Sequence, residues 1–102
     1  MNNKLDIVHD IIQKTRSGLI RWSVNNHIDY VDFYRSQIII TNNKKIGLSF
    51  GKKNHNEFIL KFIYKKKNQN GVESYKNLLT LESDSVYDLE FIYDSIKYQL
   101  RY

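Results

Sequence analysis

Glu57-Phe58-Ile59-Leu60-Lys61-Phe62-Ile63-Tyr64-Lys65-Lys66 is the stretch on which the fold turns. Phe58, Leu60, Phe62 and Tyr64 fall on one face of an extended chain, and Ile59, Lys61, Ile63 and Lys65 on the other. This period of two predicts a strand with one buried side. Asn68-Gln69-Asn70-Gly71 follows as a hairpin turn, with Asn-Gly its strongest two-residue signal. Residues 72–81 then return as the partner strand. Upstream, residues 51–56 read as a polar turn. Before it, Ile46, Leu48 and Phe50 alternate with Gly47 and Ser49. Asn42-Asn43-Lys44-Lys45 reads as another turn, since Asn tolerates left-handed backbone. Residues 28–34 and 37–41 are rich in β-branched and aromatic types, so both are predicted strands. Arg35-Ser36 between them is either a tight turn or a bulge within one long strand.

Helical patterns flank these strands. Leu5, Ile7, Val8, Ile11 and Ile12 gather on one helix face. Asp6 and Asp10 lie toward its start, and Lys14 and Arg16 toward its end, as the helix dipole favours. Ser17-Gly18 is a stop signal, because Gly18 can adopt the left-handed conformation. Residues 19–22 are then a short extended link that drops Trp22 onto the core. At the other end, Val86, Leu89, Ile92, Tyr93, Ile96 and Leu100 form an apolar stripe. Ser83 or Ser85 can cap this second helix, Ser85 with Asp88 as an acidic capping box. Asp88 and Glu90 sit early, Lys97 and Arg101 late. No crossover helix separates the strands, so they pair antiparallel. The expected fold is α+β and spans 1–102 as a single domain: an antiparallel four- to five-stranded β-meander flanked by an N-terminal and a C-terminal helix packed on one face. Trp22, Phe58, Leu60, Phe62, Leu89, Ile92 and Ile96 are expected to share its core.

The run Lys14-Thr15-Arg16-Ser17-Gly18-Leu19-Ile20-Arg21-Trp22 precedes a meander with an Asn-Gly hairpin and a closing helix holding Leu89, Ile92 and Tyr93. This order resembles a group of small uncharacterised bacterial and phage-type proteins that share a helix, Lys-Thr-x-x-Gly-x-x-x-Trp, strands, helix layout. The resemblance implies the α+β fold and a mobile-element context. It carries no catalytic residues with it.

Asn, Lys, Ile, Tyr and Phe supply 49 of the 102 residues, and Ala, Pro and Cys are missing. These five types have AT-rich codons, so coding bias explains part of the lysine content. Without cysteine there is neither a disulfide framework nor a thiolate metal site. Asp6 and Asp10 interrupt any signal-peptide apolar region. Ile38-Ile39-Ile40 is far too short for a membrane span. With 41% hydrophobic and 14% aromatic residues, the chain can build a core. A soluble cytoplasmic protein is expected, in the host cytoplasm if the chain is phage-encoded.

Chemistry-bearing motifs are sparse. His9, His27 and His55 include no pair at the i, i+4 spacing that puts two ligands on one metal. There is no Gly-x-Ser-x-Gly elbow, Gly-rich phosphate loop or nucleophilic cysteine. The carboxylate pairs Asp29/Asp32, Asp84/Asp88 and Glu90/Asp94 read as turn residues or a solvated helix face. The expectation is no enzyme activity, no cofactor and no metal.

Charge is the feature above background. The net charge is +5, yet residues 35–67 alone sum to +8 and residues 82–102 to −3. Arg35, Lys44, Lys45, Lys52, Lys53, Lys65, Lys66 and Lys67 form the candidate basic patch. The turns at 42–45 and 66–71 are expected at one sheet edge, and the 51–56 turn at the other. Phe62, Tyr64 and Tyr75 lie nearby as candidate stacking surfaces. Asp84, Asp88, Glu90 and Asp94 form a second candidate surface on the last helix. Polarised charge without catalytic motifs points to a small protein-interaction module, such as an anti-defence or immunity-type inhibitor acting by stoichiometric binding. The alternative is a nucleic-acid-binding accessory protein that uses the basic patch and its aromatics. Oligomeric state is not legible at this level.

Overall fold

The computed structural model describes residues 4–53, 57–82 and 89–101. Their order is α1 (Lys4–Ser17), β1 (Ser23–Asn25), β2 (Asp32–Thr41), β3 (Lys44–Lys52), β4 (Phe58–Lys67), β5 (Glu73–Glu82) and α2 (Leu89–Arg101). The five strands form one antiparallel sheet in the order β1-β2-β3-β4-β5. The side chains of Leu5, His55, Ser83, Asp84, Ser85, Val86 and Asp88 fall outside the described residues.

One side of the sheet is covered. The cross-strand row Tyr34–Phe50–Leu60–Leu81 is buried along its length. It meets Val8 and Ile11 of α1 and Leu89, Ile92 and Ile96 of α2 in a single core. Trp22, Phe58, Leu60, Leu89, Ile92 and Ile96 are all buried, and Phe62 packs against them half-buried. The period-two reading of β3 and β4 and the stripe of α2 therefore hold. The stripe ends before Leu100, which is exposed.

Gly18 ends α1 with φ +82°, a conformation that excludes most side chains. The chain then turns so that Trp22 enters the core. Its indole Nε1–H donates to Thr15 Oγ1 at 3.0 Å. Its backbone N–H donates to Gln99 Oε1 at 2.7 Å, while Gln99 Nε2 donates to the carbonyls of Thr15 (2.8 Å) and Ile20 (2.6 Å). Arg16 Nε donates to buried Ser95 Oγ. Thr15, Gly18 and Trp22 are thus one structural unit: a hydroxyl acceptor, a left-handed exit and the ring that needs both. Gln99 ties this unit to α2, satisfying groups whose isolation would each cost about 1–3 kcal/mol.

Several details differ from the expectations above. Arg35-Ser36 is neither turn nor bulge, and β2 runs through it in regular register with β3. The irregularity lies instead between Ile39 and Thr41. Residues 28–31 are a loop, not a strand. Tyr30 N–H bonds to the His27 carbonyl, closing a turn, and Ile28 is 98% exposed. The link after α1 leads into an extra short strand, β1, where no strand was expected. No described residue other than glycine has positive φ, so the Asn42-Asn43 turn is made without left-handed Asn. The β4–β5 hairpin turns at residues 68–71 as expected, with the Gly71 N–H donating to the Asn68 carbonyl at 3.0 Å. Asn68 Oδ1 accepts from Asn70 N and Val72 N, and Gly71 alone takes the left-handed φ, +81°.

Candidate functional site

The helices leave the other face of the sheet uncovered. Alternation places Phe33, Arg35, Gln37 and Ile39 of β2 there, with Lys45, Gly47, Ser49 and Gly51 of β3. From β4 come Ile59, Lys61, Ile63 and Lys65. Cross-strand rows then collect charge. Arg35 pairs with Ser49, which pairs with Lys61. Ile39 pairs with Lys45, Lys45 with Lys65 and Lys65 with Tyr75, and Lys67 pairs with Glu73.

Small residues shape this face. A Cβ on Gly47 would lie 3.1 Å from Lys65 Cε and 3.3 Å from its Nζ, so the Lys65 side chain lies across Gly47 toward β2. At the far end a Cβ on Gly51 would lie 2.5 Å from the Tyr30 ring. Tyr30 therefore caps that end, stacked on Phe33 with His27 against both rings. The open face is closed off at Gly51 and free at Gly47.

Two depressions meet on the free part. The larger, about 620 Å³, runs between the α1–β1 link and β2, and Arg21, Arg35 and Lys65 line it with no carboxylate among the described residues. The smaller, about 280 Å³, is lined by Lys44, Lys45, Lys65, Lys67 and Glu73. Ile39 and Lys65 line both, so the two are continuous. Among the described residues no ion pair neutralises Arg21, Arg35, Lys45, Lys65 or Lys67. Burial, then the Arg35 and Lys45 charges, lower the Lys65 ammonium below the ordinary lysine range. Glu73, an acid at the rim, is lowered by the hydrogen bond from Tyr75 and then by Lys45, Lys67 and Lys65. Lys65 Nζ also sits 5.8 Å over the Tyr75 ring.

The candidate basic residues therefore divide. Arg35, Lys45, Lys65 and Lys67 come together on the open face. Lys44 and Lys66 pair with each other at the same end of the sheet. Lys52 and Lys53 lie at the opposite end. Lys52 is engaged there, its Nζ 4.7 Å over the Tyr93 ring and 6.0 Å over Phe58. Tyr93 donates to Asp32 Oδ2 at 2.7 Å and accepts from Lys97. Burial, then Asp32, push its phenol well above the usual range. Of the candidate aromatics, Tyr75 is on the open face, 64% exposed, while Phe62 and Tyr64 alternate to the helix side. On α2, Glu90 and Asp94 are exposed, and Asp84 and Asp88 lie outside the described residues. Arg21 was missed at the sequence level, since a lone Arg in a link carries no pattern. Among the described residues no cluster of His, Asp or Glu has metal-ligand geometry, and no helix is long and apolar enough to cross a membrane. Comparisons with known protein families, with curated proteins and with solved structures found no match for this chain.

Proposed function

We propose that this protein is a small non-enzymatic interaction module that binds an acidic protein surface stoichiometrically through its open sheet face. The observation that carries this reading is the continuous run of Arg21, Arg35, Lys65, Lys45 and Lys67 with no ion-paired carboxylate among them. Such a surface attracts an acidic partner and sets its orientation. Inhibition by occlusion, of the anti-defence or immunity type and in a phage or mobile-element setting, is the role that fits a sequence without catalytic motifs. Its place of action is then the host cytoplasm.

Nucleic acid is the second reading, supported by Tyr75 beside Lys65. Against it, the central strand β3 offers Lys45, Gly47, Ser49 and Gly51, none of which stacks on a base. The Phe33 ring is already stacked on Tyr30.

The test is capture from host lysate, with and without nuclease, by the native chain and by a variant with Arg35, Lys45, Lys65 and Lys67 changed to Gln. A protein partner retained after nuclease and lost with the variant supports the proposal. Capture abolished by nuclease supports the second reading. Titration with labelled single-stranded DNA and RNA at several salt concentrations separates them further. Binding through phosphates falls with a log–log slope of about −0.7 per contact.

A further inference from the structure

The sheet has an unfinished edge. β1 pairs only with Phe33, Tyr34 and Arg35, although β2 continues to Thr41. Ser23 Oγ donates to the Arg35 carbonyl, so the Arg35 peptide groups face β1. By alternation those of Gln37 and Ile39 face the same way, where no strand of the described residues lies opposite. The chain that would have continued β1 turns away, because Trp22 enters the core. What remains beside Gln37 and Ile39 is the 620 Å³ groove, walled by Gly18 and Leu19 and closed at its β1 end by Arg21, whose carbonyl accepts from Ser36 Oγ at 2.6 Å.

This edge lacks the usual protection. β5, the other edge, carries Glu73, Lys76 and Glu82, and its pairing with β4 shifts register at Phe62/Ile63; both features discourage pairing with another strand. Residues 36–41 carry no charge, and Ile39 is 61% exposed and Leu19 77%. The Ile40 irregularity limits the regular edge to residues 36–39.

We propose that this edge takes up an extended acidic segment of the partner as an added strand, in line with β1. The inference rests on the protein-binding reading above and names the form of the partner. Charge selects the occupant. Arg21, Arg35 and Lys65 line the groove with no carboxylate among the described residues, so acidic side chains on alternate residues meet them while the backbone bonds to Gln37 and Ile39. A second copy of this chain would bring the same cations against one another.

The probe is a labelled eight-residue peptide alternating Glu with Val, followed by fluorescence anisotropy on the full chain. Two further peptides carry N-methyl groups on alternate amides, one in each register. Strand addition predicts that one methylated register binds like the parent and the other on the order of tenfold or more weakly. Gln37→Pro, which removes the outward N–H, abolishes binding, and a Lys-for-Glu peptide does not bind. The proposal is overturned if both methylated peptides bind like the parent, if no acidic peptide binds, or if sedimentation shows a dimer that Gln37→Pro dissolves. The methylated peptides decide the matter on the native chain even if Gln37→Pro misfolds. The lysate experiment with the four-Gln variant reads the broader proposal separately.

Discussion

Strand β3 turns two unlike sides to its surroundings. Ile46, Leu48 and Phe50 face the helices, and Lys45, Gly47, Ser49 and Gly51 face away. The first set packs a core in which Phe50, Leu48 and Leu60 are buried. The second carries glycines, a serine and Lys45, whose charge helps to lower the ammonium of its cross-strand neighbour Lys65. The same backbone thus carries a side whose residues follow packing and a side whose residues, Gly51 under Tyr30 apart, do not. Where packing is absent, composition is free to answer to a partner, and here it collects positive charge. The contrast also separates the two open-face glycines. Gly51 is floor to Tyr30, a packed contact, whereas Gly47 is floor to Lys65, a flexible one.

The largest effects should come from the covered side. Phe50→Ala should cost about 3–5 kcal/mol and Leu89→Ala about 2–5 kcal/mol in urea unfolding. A loss under about 1 kcal/mol for either would mean that the helices do not seal this face. Next comes the polar tie between the helices. Gln99→Ala strands the Trp22 N–H and the Ile20 carbonyl, while the Thr15 carbonyl keeps its bond from the Gly18 N–H, and about 1–3 kcal/mol should be lost. Trp fluorescence should report the change, because the indole sits beside these groups.

Smaller effects test the open side. Gly51→Ala forces Tyr30 off the sheet and should cost about 1–3 kcal/mol. Gly47→Ala meets only the movable end of Lys65 and should stay within about 0.5 kcal/mol. Equal losses at the two glycines would erase the distinction between the capped and the free end. The smallest effect belongs to the substitution of Arg35, Lys45, Lys65 and Lys67 by Gln, expected within about 0.5 kcal/mol of the native chain. The sign at Lys65 is informative. Its folded-state pKa is lowered, so the charged form opposes folding below that pKa, and the opposition fades as pH rises through it. Replacing it by Gln should therefore not destabilise the fold at neutral pH. A clear loss of stability would show that these cations serve the fold rather than a partner.

Much of the architecture was legible before any coordinates. Alternation in 57–66 and 46–50 placed two strands and their buried sides, and the spacing of Leu89, Ile92 and Ile96 placed a helix face. The reason is that side-chain direction follows local backbone period, which short-range pattern records. Gly18 was legible as a helix exit for the same reason, since its φ is a local matter. Residues 28–31 misled because β-branched and aromatic content there serves a loop that lays Tyr30 on Gly51, a contact twenty-one positions distant. β1 was invisible because three residues carry no period.

The sequence by itself determined the two flanking helices and their stripes, the antiparallel meander between them and the excess of charge in residues 35–67. Those follow from interactions between residues a few positions apart and from composition. Only the tertiary structure decided which cations act together. Strand register set Lys45 beside Lys65 and left Lys52 to the Tyr93 ring. The Trp22 anchor, held by Thr15 and by Gln99 from the opposite end of the chain, drew the backbone away from β2 and opened the groove that Arg21 lines. Register and anchoring depend on packing between distant segments, which no local pattern contains.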